Sequence, residues 1–489
     1  MKTASVSARF SDGALMTDLY ELTMAYGYWK SETYQKEAVF HLAFRDAPFQ
    51  SGYAITAGLS DVISFLSDLK FHEDDLRYLA TLKGNDGTPL FDSRFLGYLR
   101  DFRFTCDIDA IPEGTVAFPN EPLIRVTGPI IEAQIVETAL LNLVNFQTLI
   151  ATKAARICHA AQGEPVLEFG LRRAQGIDGG LSASRAAYIG GCHGTSNLRA
   201  GQIFGIPVGG THAHSWVMSF ADELEAFFAY AEALPNNCVF LVDTYDSLQG
   251  VRHAVEVGKR LRERHHSLAG IRLDSGDLAY LSIEARKILD ADGFTDTAIV
   301  ASNNLDEHII TSLKLQGAKI NIWGVGTKLI TGYDDPALNG VYKMSAMREP
   351  GKKWEHKIKL SEQSTKVTTP GVLQVRRFKQ YKQFLGDMVF DEETSPRDAR
   401  SLVDPADITR RKGISAEAET EDLLVPVFRG GRLIYTQPTL ASIRQRAQEQ
   451  LALLHPSIKR LLNPHEYPVG LEPSLAELRT KLILERRKM

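Results

Sequence analysis

Gly209-Gly210-Thr211-His212-Ala213-His214-Ser215-Trp216 sets two imidazoles just past a short apolar run, Ile206-Pro207-Val208, that reads as the end of a strand. An imidazole titrates near neutrality, so it serves as a base or as a nucleophile toward a phosphoryl group, and the glycine pair lets backbone approach a ligand closely. A lone histidine beside an apolar strand is ordinarily a structural hydrogen-bonding residue, so the pair gains meaning only from what accompanies it.

Further along, Asp243-Thr244-Tyr245-Asp246 and Arg272-Leu273-Asp274-Ser275-Gly276-Asp277 each follow an apolar run, which puts four carboxylates and one guanidinium at strand ends. Carboxylates there hold Mg²⁺ or sugar hydroxyls, and Mg²⁺ normally takes one or two of them together with substrate phosphates. Arg272 offers a planar fork to an anion. Helix capping competes for Asp246, Ser275 and Asp277, which leaves Asp243 and Asp274, nearer the strands, as the functional candidates. Ser302-Asn303-Asn304 and Gly324-Val325-Gly326-Thr327 end the next two runs and suit a phosphate held by backbone N–H groups at a helix start, with a tight turn as the plainer reading. The glycines around Gly176-Ile177-Asp178-Gly179-Gly180 and Gly190-Gly191 read equally as flexible connections, and His193 as structural.

The elements that must position these residues follow one grammar from Glu164 to Gly326: a short β-branched run, then small polar residues, then a helical pattern. The runs are Val166 to Phe169, Ile206 to Val208, Val239 to Val242, Gly270 to Leu273, Ala298 to Ala301 and Ile320 to Trp323, with helical spacing between, as from Asp277 to Asp290. Such alternation predicts a parallel sheet or barrel whose strand C-termini share one face and hold the site. Ser11 to Leu149 mixes helices (Thr17 to Trp29, and Val136 to Thr152) with short strands such as Gly114 to Phe118. Lys352 to Lys382 is charged and strand-rich, Pro396 to Ala416 reads as polar loop, and Thr439 to Met489 as mostly helical. The expected organisation is an α+β domain over 1–150 completed by C-terminal segments, a (β/α) barrel over 151–390, and a helical segment over 391–489 packing on both. The basic end Glu485-Arg486-Arg487-Lys488 reads as a solvated helix terminus.

With 489 residues, 44% apolar and 24% charged, the composition is that of a soluble globular protein of two or three domains. A net charge of -4 and a pI near 6.4 supply no global field for nucleic acid. The four cysteines are scattered, without a C-x-x-C pair, which fits a reducing cytoplasm. Met1 to Arg9 is short and polar, and no window is expected to approach a membrane span.

Several words, in chain order, resemble those of the nicotinate phosphoribosyltransferase family: Leu15-Met16-Thr17-Asp18-Leu19-Tyr20, Glu168-Phe169-Gly170-Leu171-Arg172-Arg173, Gly194-Thr195-Ser196-Asn197, and His212 to Trp216. The words at 243–246, 272–277, 302–306 and 323–327 continue the match, as do Lys366 to Gly371 and Asn463 to Val469. The resemblance implies an α/β fold, an irregular (β/α) barrel of the type II phosphoribosyltransferase kind with an additional α+β domain. It implies transfer of phosphoribose from phosphoribosyl pyrophosphate to nicotinate, coupled to ATP through a phosphohistidine at His214, as the entry step of NAD salvage. By the same resemblance Tyr20 and Phe169 sandwich the pyridine ring, Arg172 reads its acidic group, and Arg272 and Asp274 lie at the ribose and pyrophosphate. Ser302, Asn303, Gly324, Gly326 and Thr327 hold the 5′-phosphate, Mg²⁺ sits on Asp274, Asp243 contacts substrate, and a homodimer shares its sites so that Tyr20 comes from the neighbour. No cysteine follows Cys238, so no structural zinc is expected.

Ser196 stands where the related nicotinamide enzymes carry a carboxylate. A carboxylate would repel nicotinate, and Ser donates a hydrogen bond to it. The competing readings are a nicotinamide phosphoribosyltransferase, disfavoured by Ser196; quinolinate phosphoribosyltransferase, whose members are shorter and lack the histidine; and a non-catalytic barrel-fold binding protein, disfavoured by intact His214, Arg272 and Asp274.

Overall fold

The computed structural model describes residues 13–363 and 366–487, so the readings of Met1 to Arg9, Ser11 and Lys488 lie outside the described residues. The chain forms two compact units, Ile150–Pro336 and the remainder on either side of it. Residues 337–390, expected in the barrel, therefore belong with the first unit.

In the unit Ile150–Pro336 the strands are β1 (Val166–Glu168), β2 (Gly194–Thr195), β3 (Val239–Leu241), β4 (Gly270–Leu273), β5 (Ala298–Ala301) and β6 (Ile322–Val325). They pair in the order β2-β1-β6-β5-β4-β3, and every pairing is parallel. Their apolar runs suit strands covered on both faces. β6 starts two residues later than the apolar run at Ile320, because Asn321 meets β5 with its side chain, accepting the Ile299 N–H at 2.8 Å. The run Ile206 to Val208 is not a strand. Pro207 has no N–H to give a ladder, and only a single parallel bridge, Thr195 to Val208, forms there. From Val208 the chain turns toward β3, where His212 Nε2 accepts the Leu241 N–H at 3.2 Å. A side chain thus closes the seam that a strand would close in a regular barrel.

The carboxylates at the strand ends divide by distance from the strand. Asp246, Asp277 and Asp306 accept the N–H groups of Gln249, Tyr280 and Ile309 and cap the following helices. Lys153 and Arg156 both reach the buried Glu307 carboxylate at 2.9 Å.

The first unit holds an antiparallel sheet in which Glu37–Phe44 pairs with Gly340–Arg348 on one side and Ile124–Pro129 on the other, with Val425–Arg429 against Asp107–Ala110. The long-range pairing explains why residues after 336 return to it. A second sheet runs 411–413, 401–403, 469–471, 383–391, 373–380, 419–422. Its two edge strands, Arg411–Gly413 and Glu419–Asp422, are joined by 414–418, a link containing the turn Ala418 N–H to Ser415 C=O. Six flat strands span roughly 24 Å at ~4.8 Å spacing, more than so short a turning link reaches at ~3.4 Å per residue, so the sheet curls around Phe378, Met388, Phe390 and Leu402. Residues 391–489 thus carry strands as well as the helices Leu440–Leu453 and Pro473–Arg487, and the supposed loop 396–416 contains two of those strands.

Two words of the resemblance serve this unit's architecture. Tyr467 donates to Asp387 at 2.8 Å, stacks on Phe118 with ring centroids 3.8 Å apart, and lies beside the buried Arg377–Asp387 pair. Arg479 donates to the carbonyls of Val367 and Thr368 at 3.1 and 3.3 Å. Contrary to expectation from the sequence, the helical stretch Ile130–Ala161 is long and apolar enough to cross a membrane; 67% of its apolar window is buried inside the protein, as in a core helix.

Candidate active site

The two histidines divide their roles by burial. His212 is 8% exposed and ringed by Phe227, Tyr230 and Phe240. Its Nε2 accepts from Leu241, so Nδ1 carries the proton, and burial pushes its pKa down to about 4. It is a neutral structural residue. His214 opens the short helix His214–Val217, with 41% of its side chain exposed, Nδ1 3.1 Å from the Thr244 hydroxyl and Nε2 3.9 Å from Asp274 Oδ2. It is the accessible imidazole at the strand ends.

Arg272, on β4, spreads its fork over three partners. Nε donates to Ser302 Oγ at 2.8 Å, Nη1 to Thr211 Oγ1 at 3.0 Å and Nη2 to Asp274 Oδ1 at 2.8 Å. Ser302 also donates to Asp274, so its hydroxyl is engaged by side chains rather than free for the 5′-phosphate expected of it. Asp274 therefore links the guanidinium on one side to His214 on the other. Asp243 Oδ2 accepts the Asp274 N–H at 2.9 Å and the Ser275 hydroxyl at 2.6 Å. Its Oδ1 is buried without a hydrogen-bond partner among the described residues, an oxygen that fits a cation.

At the end of β1 the Phe169 ring lies directly over Gly324. A Cβ at Gly324 would stand 2.7 Å from two ring carbons, and one at Gly326 3.3 Å from the Phe169 carbonyl oxygen. Gly324 thus seats the ring, a reason for glycine different from the phosphate contact expected. The Arg272 guanidinium is 5.7 Å from the Phe169 ring centroid, which ties the aromatic platform to the charged cluster. Arg172 and Ser196 are both exposed.

Asn303 and Asn304 adopt left-handed backbone, φ 83° and 43°, turning the chain sharply after β5. Gly326 precedes the short helix Thr327–Ile330, whose Lys328 pairs with Asp306, so the two loops are tied together. Tyr20 belongs to the other unit, on the helix Leu19–Lys30. It is 44% exposed, and partial burial with nearby Glu137 and Glu21 pushes its pKa up to about 12. Glu21 pins that helix, accepting the Thr138 N–H at 2.9 Å.

Thr211, Thr244 and Ser275 are site residues that reading the sequence missed. Each sits inside a word already singled out, but a hydroxyl gives no signal until its partner is known. Among the described residues no group of three or more His, Cys, Asp or Glu side chains is gathered as a metal cage.

Comparison with known proteins bears on what such a site does. The model of the nicotinate phosphoribosyltransferase (NAPRTase) family matches residues 165–385, and those of its N-terminal and C-terminal domains match 15–145 and 374–479. The chain is 47% identical over 463 residues to nicotinate phosphoribosyltransferase of Bacillus subtilis (strain 168), covering 94% of this chain and 92% of the relative. It is 34% identical to the enzyme of that name from Homo sapiens, covering 96% and 97%. The crystal structure of human nicotinic acid phosphoribosyltransferase superposes with a TM-score of 0.83 at 33% identity over 95% of this chain and 99% of that one. A nicotinate-nucleotide pyrophosphorylase from Pyrococcus furiosus matches at TM-score 0.69 and 22% identity, covering 92% and 98%, a likeness of fold alone.

Proposed function

Because the chain belongs to the nicotinate phosphoribosyltransferase family, we propose that it joins nicotinate to the phosphoribosyl group of phosphoribosyl pyrophosphate and couples this to ATP through His214. The observation that carries the reading is the continuity from His214 through Asp274 and Arg272 to Phe169, which puts a phosphoryl acceptor, an anion fork and an aromatic platform in one cluster.

The chemistry follows from the contacts. In the tautomer that donates Nδ1–H to Thr244, the Nε2 lone pair of His214 is free to attack the γ-phosphorus of ATP; the P–N bond forms as the P–O bond to ADP breaks. In the transfer step the anomeric C–O bond breaks, its electron pair leaving with pyrophosphate, and the nicotinate ring nitrogen supplies the pair of the new C–N bond. The carbon passes through an oxocarbenium-like state, so holding the base in line and neutralising the leaving group are the two demands. Phe169 meets the first by stacking, and Arg272, already oriented by Ser302, Thr211 and Asp274, meets the second. Water then cleaves the P–N bond, releasing phosphate and restoring His214. Asp274 and the unpartnered Oδ1 of Asp243 would hold Mg²⁺, which when bound neutralises pyrophosphate charge. Asn303, Gly326 and Thr327 are the backbone positions proposed for the 5′-phosphate, and Arg172 with Ser196 for the nicotinate carboxylate.

The exposed apolar side chains of Met16, Leu19, Tyr20 and Met24, close in sequence, support a homodimer in which Tyr20 stacks on the nicotinate bound by the other copy. A cytoplasmic enzyme of small molecules, without nucleic acid or membrane partners, completes the proposal. The test is product formation from phosphoribosyl pyrophosphate and Mg²⁺ with nicotinate or nicotinamide, each with and without ATP. Nicotinate mononucleotide formed faster with ATP, with ADP released, is expected; nicotinamide preference or indifference to ATP overturns it.

A further inference from the structure

Glu168 ends β1 wholly buried, and its carboxylate gathers three donors from three separate segments. The Gly170 N–H reaches Oε1; the Ser184 hydroxyl, on the helix Ile177–Ile189, reaches Oε2 at 2.8 Å; the Thr195 hydroxyl, on β2, reaches the same oxygen at 2.6 Å. Asn197 closes the ring, its side chain donating to Ser184 Oγ at 3.1 Å and its N–H to Thr195 Oγ1 at 2.9 Å. A carboxylate accepts through both oxygens and has no donor of its own, so it is the group that satisfies three converging N–H and O–H donors in a buried site.

What these struts enclose gives them meaning. Phe169 lies between Glu168 and Gly170, and its own N–H is fixed to the Val325 carbonyl at 2.8 Å. Ser196 lies between Thr195 and Asn197, with its N–H on the Glu168 carbonyl at 2.9 Å. The aromatic platform and the residue proposed to face the substrate carboxylate are thus pinned on both sides, and the pins of both meet at one residue.

We propose that Glu168 is a positioning residue for the acceptor base, setting the separation between the Phe169 ring and the Ser196 side chain through Ser184, Thr195 and Asn197. This rests on the reading of Phe169 and Ser196 as the nicotinate pocket. Glu168 acts through its neighbours, since both its oxygens face the Gly170, Ser184 and Thr195 donors and not the ring of Phe169. Glu168→Gln keeps the shape but turns an amide NH₂ toward donors, so one strut is lost and the pocket relaxes. Ser184→Ala removes one strut and leaves the carboxylate.

The experiment is steady-state kinetics on the full chain and both variants, varying nicotinate, nicotinamide and phosphoribosyl pyrophosphate in turn. For Glu168→Gln the KM for nicotinate rises about tenfold, equivalent to ~1.4 kcal/mol of lost base binding, and the preference for nicotinate over nicotinamide falls. Ser184→Ala gives a smaller change in the same direction, and in both variants kcat and the KM for phosphoribosyl pyrophosphate stay within about twofold of the parent, a split that a general loosening of the barrel does not produce. If Glu168→Gln yields no folded protein, Ser184→Ala decides by the same split. An active parent with nicotinate KM and preference unchanged in the variants, or with all constants moving together, overturns the proposal alone. A parent that makes no nicotinate mononucleotide overturns the reading of the site and the proposal with it.

Discussion

The Nδ1 atom of His214 stands 3.1 Å from the hydroxyl of Thr244, and this contact orients the ring so that Nε2 faces Asp274. Thr244→Val removes the acceptor for the Nδ1 proton while keeping the side chain's volume. A hydrogen bond of this kind contributes about 0.5–1.5 kcal/mol, so ATP hydrolysis should fall roughly two- to tenfold. His214→Ala should abolish ATP hydrolysis and leave a slow, ATP-independent transfer, because the barrel still positions both substrates. Steady-state ADP release checks both, and undiminished hydrolysis in His214→Ala moves the nucleophile elsewhere.

Ser196→Asp should weaken nicotinate use and admit nicotinamide. The new carboxylate faces the substrate's own, and a shift of about 1.4 kcal/mol changes the preference tenfold. Competition between the two bases reads it directly, and an unchanged preference removes Ser196 from the specificity pocket.

Gly324→Ala separates two roles for that glycine. Its Cβ would press on the Phe169 ring at 2.7 Å, so the KM for nicotinate should rise, roughly tenfold, more than that for phosphoribosyl pyrophosphate. The opposite order would return Gly324 to the phosphate loop.

His212 makes the protein sensitive to acid. Burial holds its folded pKa at about 4, below the ordinary 6.5, so the unfolded chain binds the extra proton between those values. The stabilisation is present above pH 6.5 and is lost as pH falls toward 4. His212→Gln keeps an acceptor for Leu241 without titrating. Buried Glu21, pushed up to about 7, acts with the opposite sign, so the informative quantity is the difference between parent and variant. Thermal melts from pH 7 to pH 4.5 should show the parent losing ground to the variant; parallel curves refute the assignment.

The strands of the barrel are legible in the sequence because burial on both faces writes them as unbroken apolar runs, and Asp246 and Asp277 are legible as caps by their place before helices. Arg411–Gly413 and Glu419–Asp422 are not, since every residue in them is exposed and no periodicity marks the pairing. Nor can local pattern show that Glu37–Phe44 finds its partner some three hundred residues away. In the candidate site, residue types at strand ends pointed to His214, Asp274 and Arg272, which the fold brings together. The side-chain partners of Ser302 and the ring over Gly324 escaped, because both are set by neighbours remote in the chain.

His212 gives the barrel a seam closed by one side chain. Freeing the Leu241 N–H takes displacement of one imidazole from among Phe227, Tyr230 and Phe240, whereas freeing any amide in the β3–β4–β5 ladder requires strands to part. In hydrogen exchange that amide becomes the early exchanger of an otherwise slow sheet. The segment bearing His214 is thus tied to β3 by a side chain and not by a strand ladder, so its position depends on the packing around one imidazole.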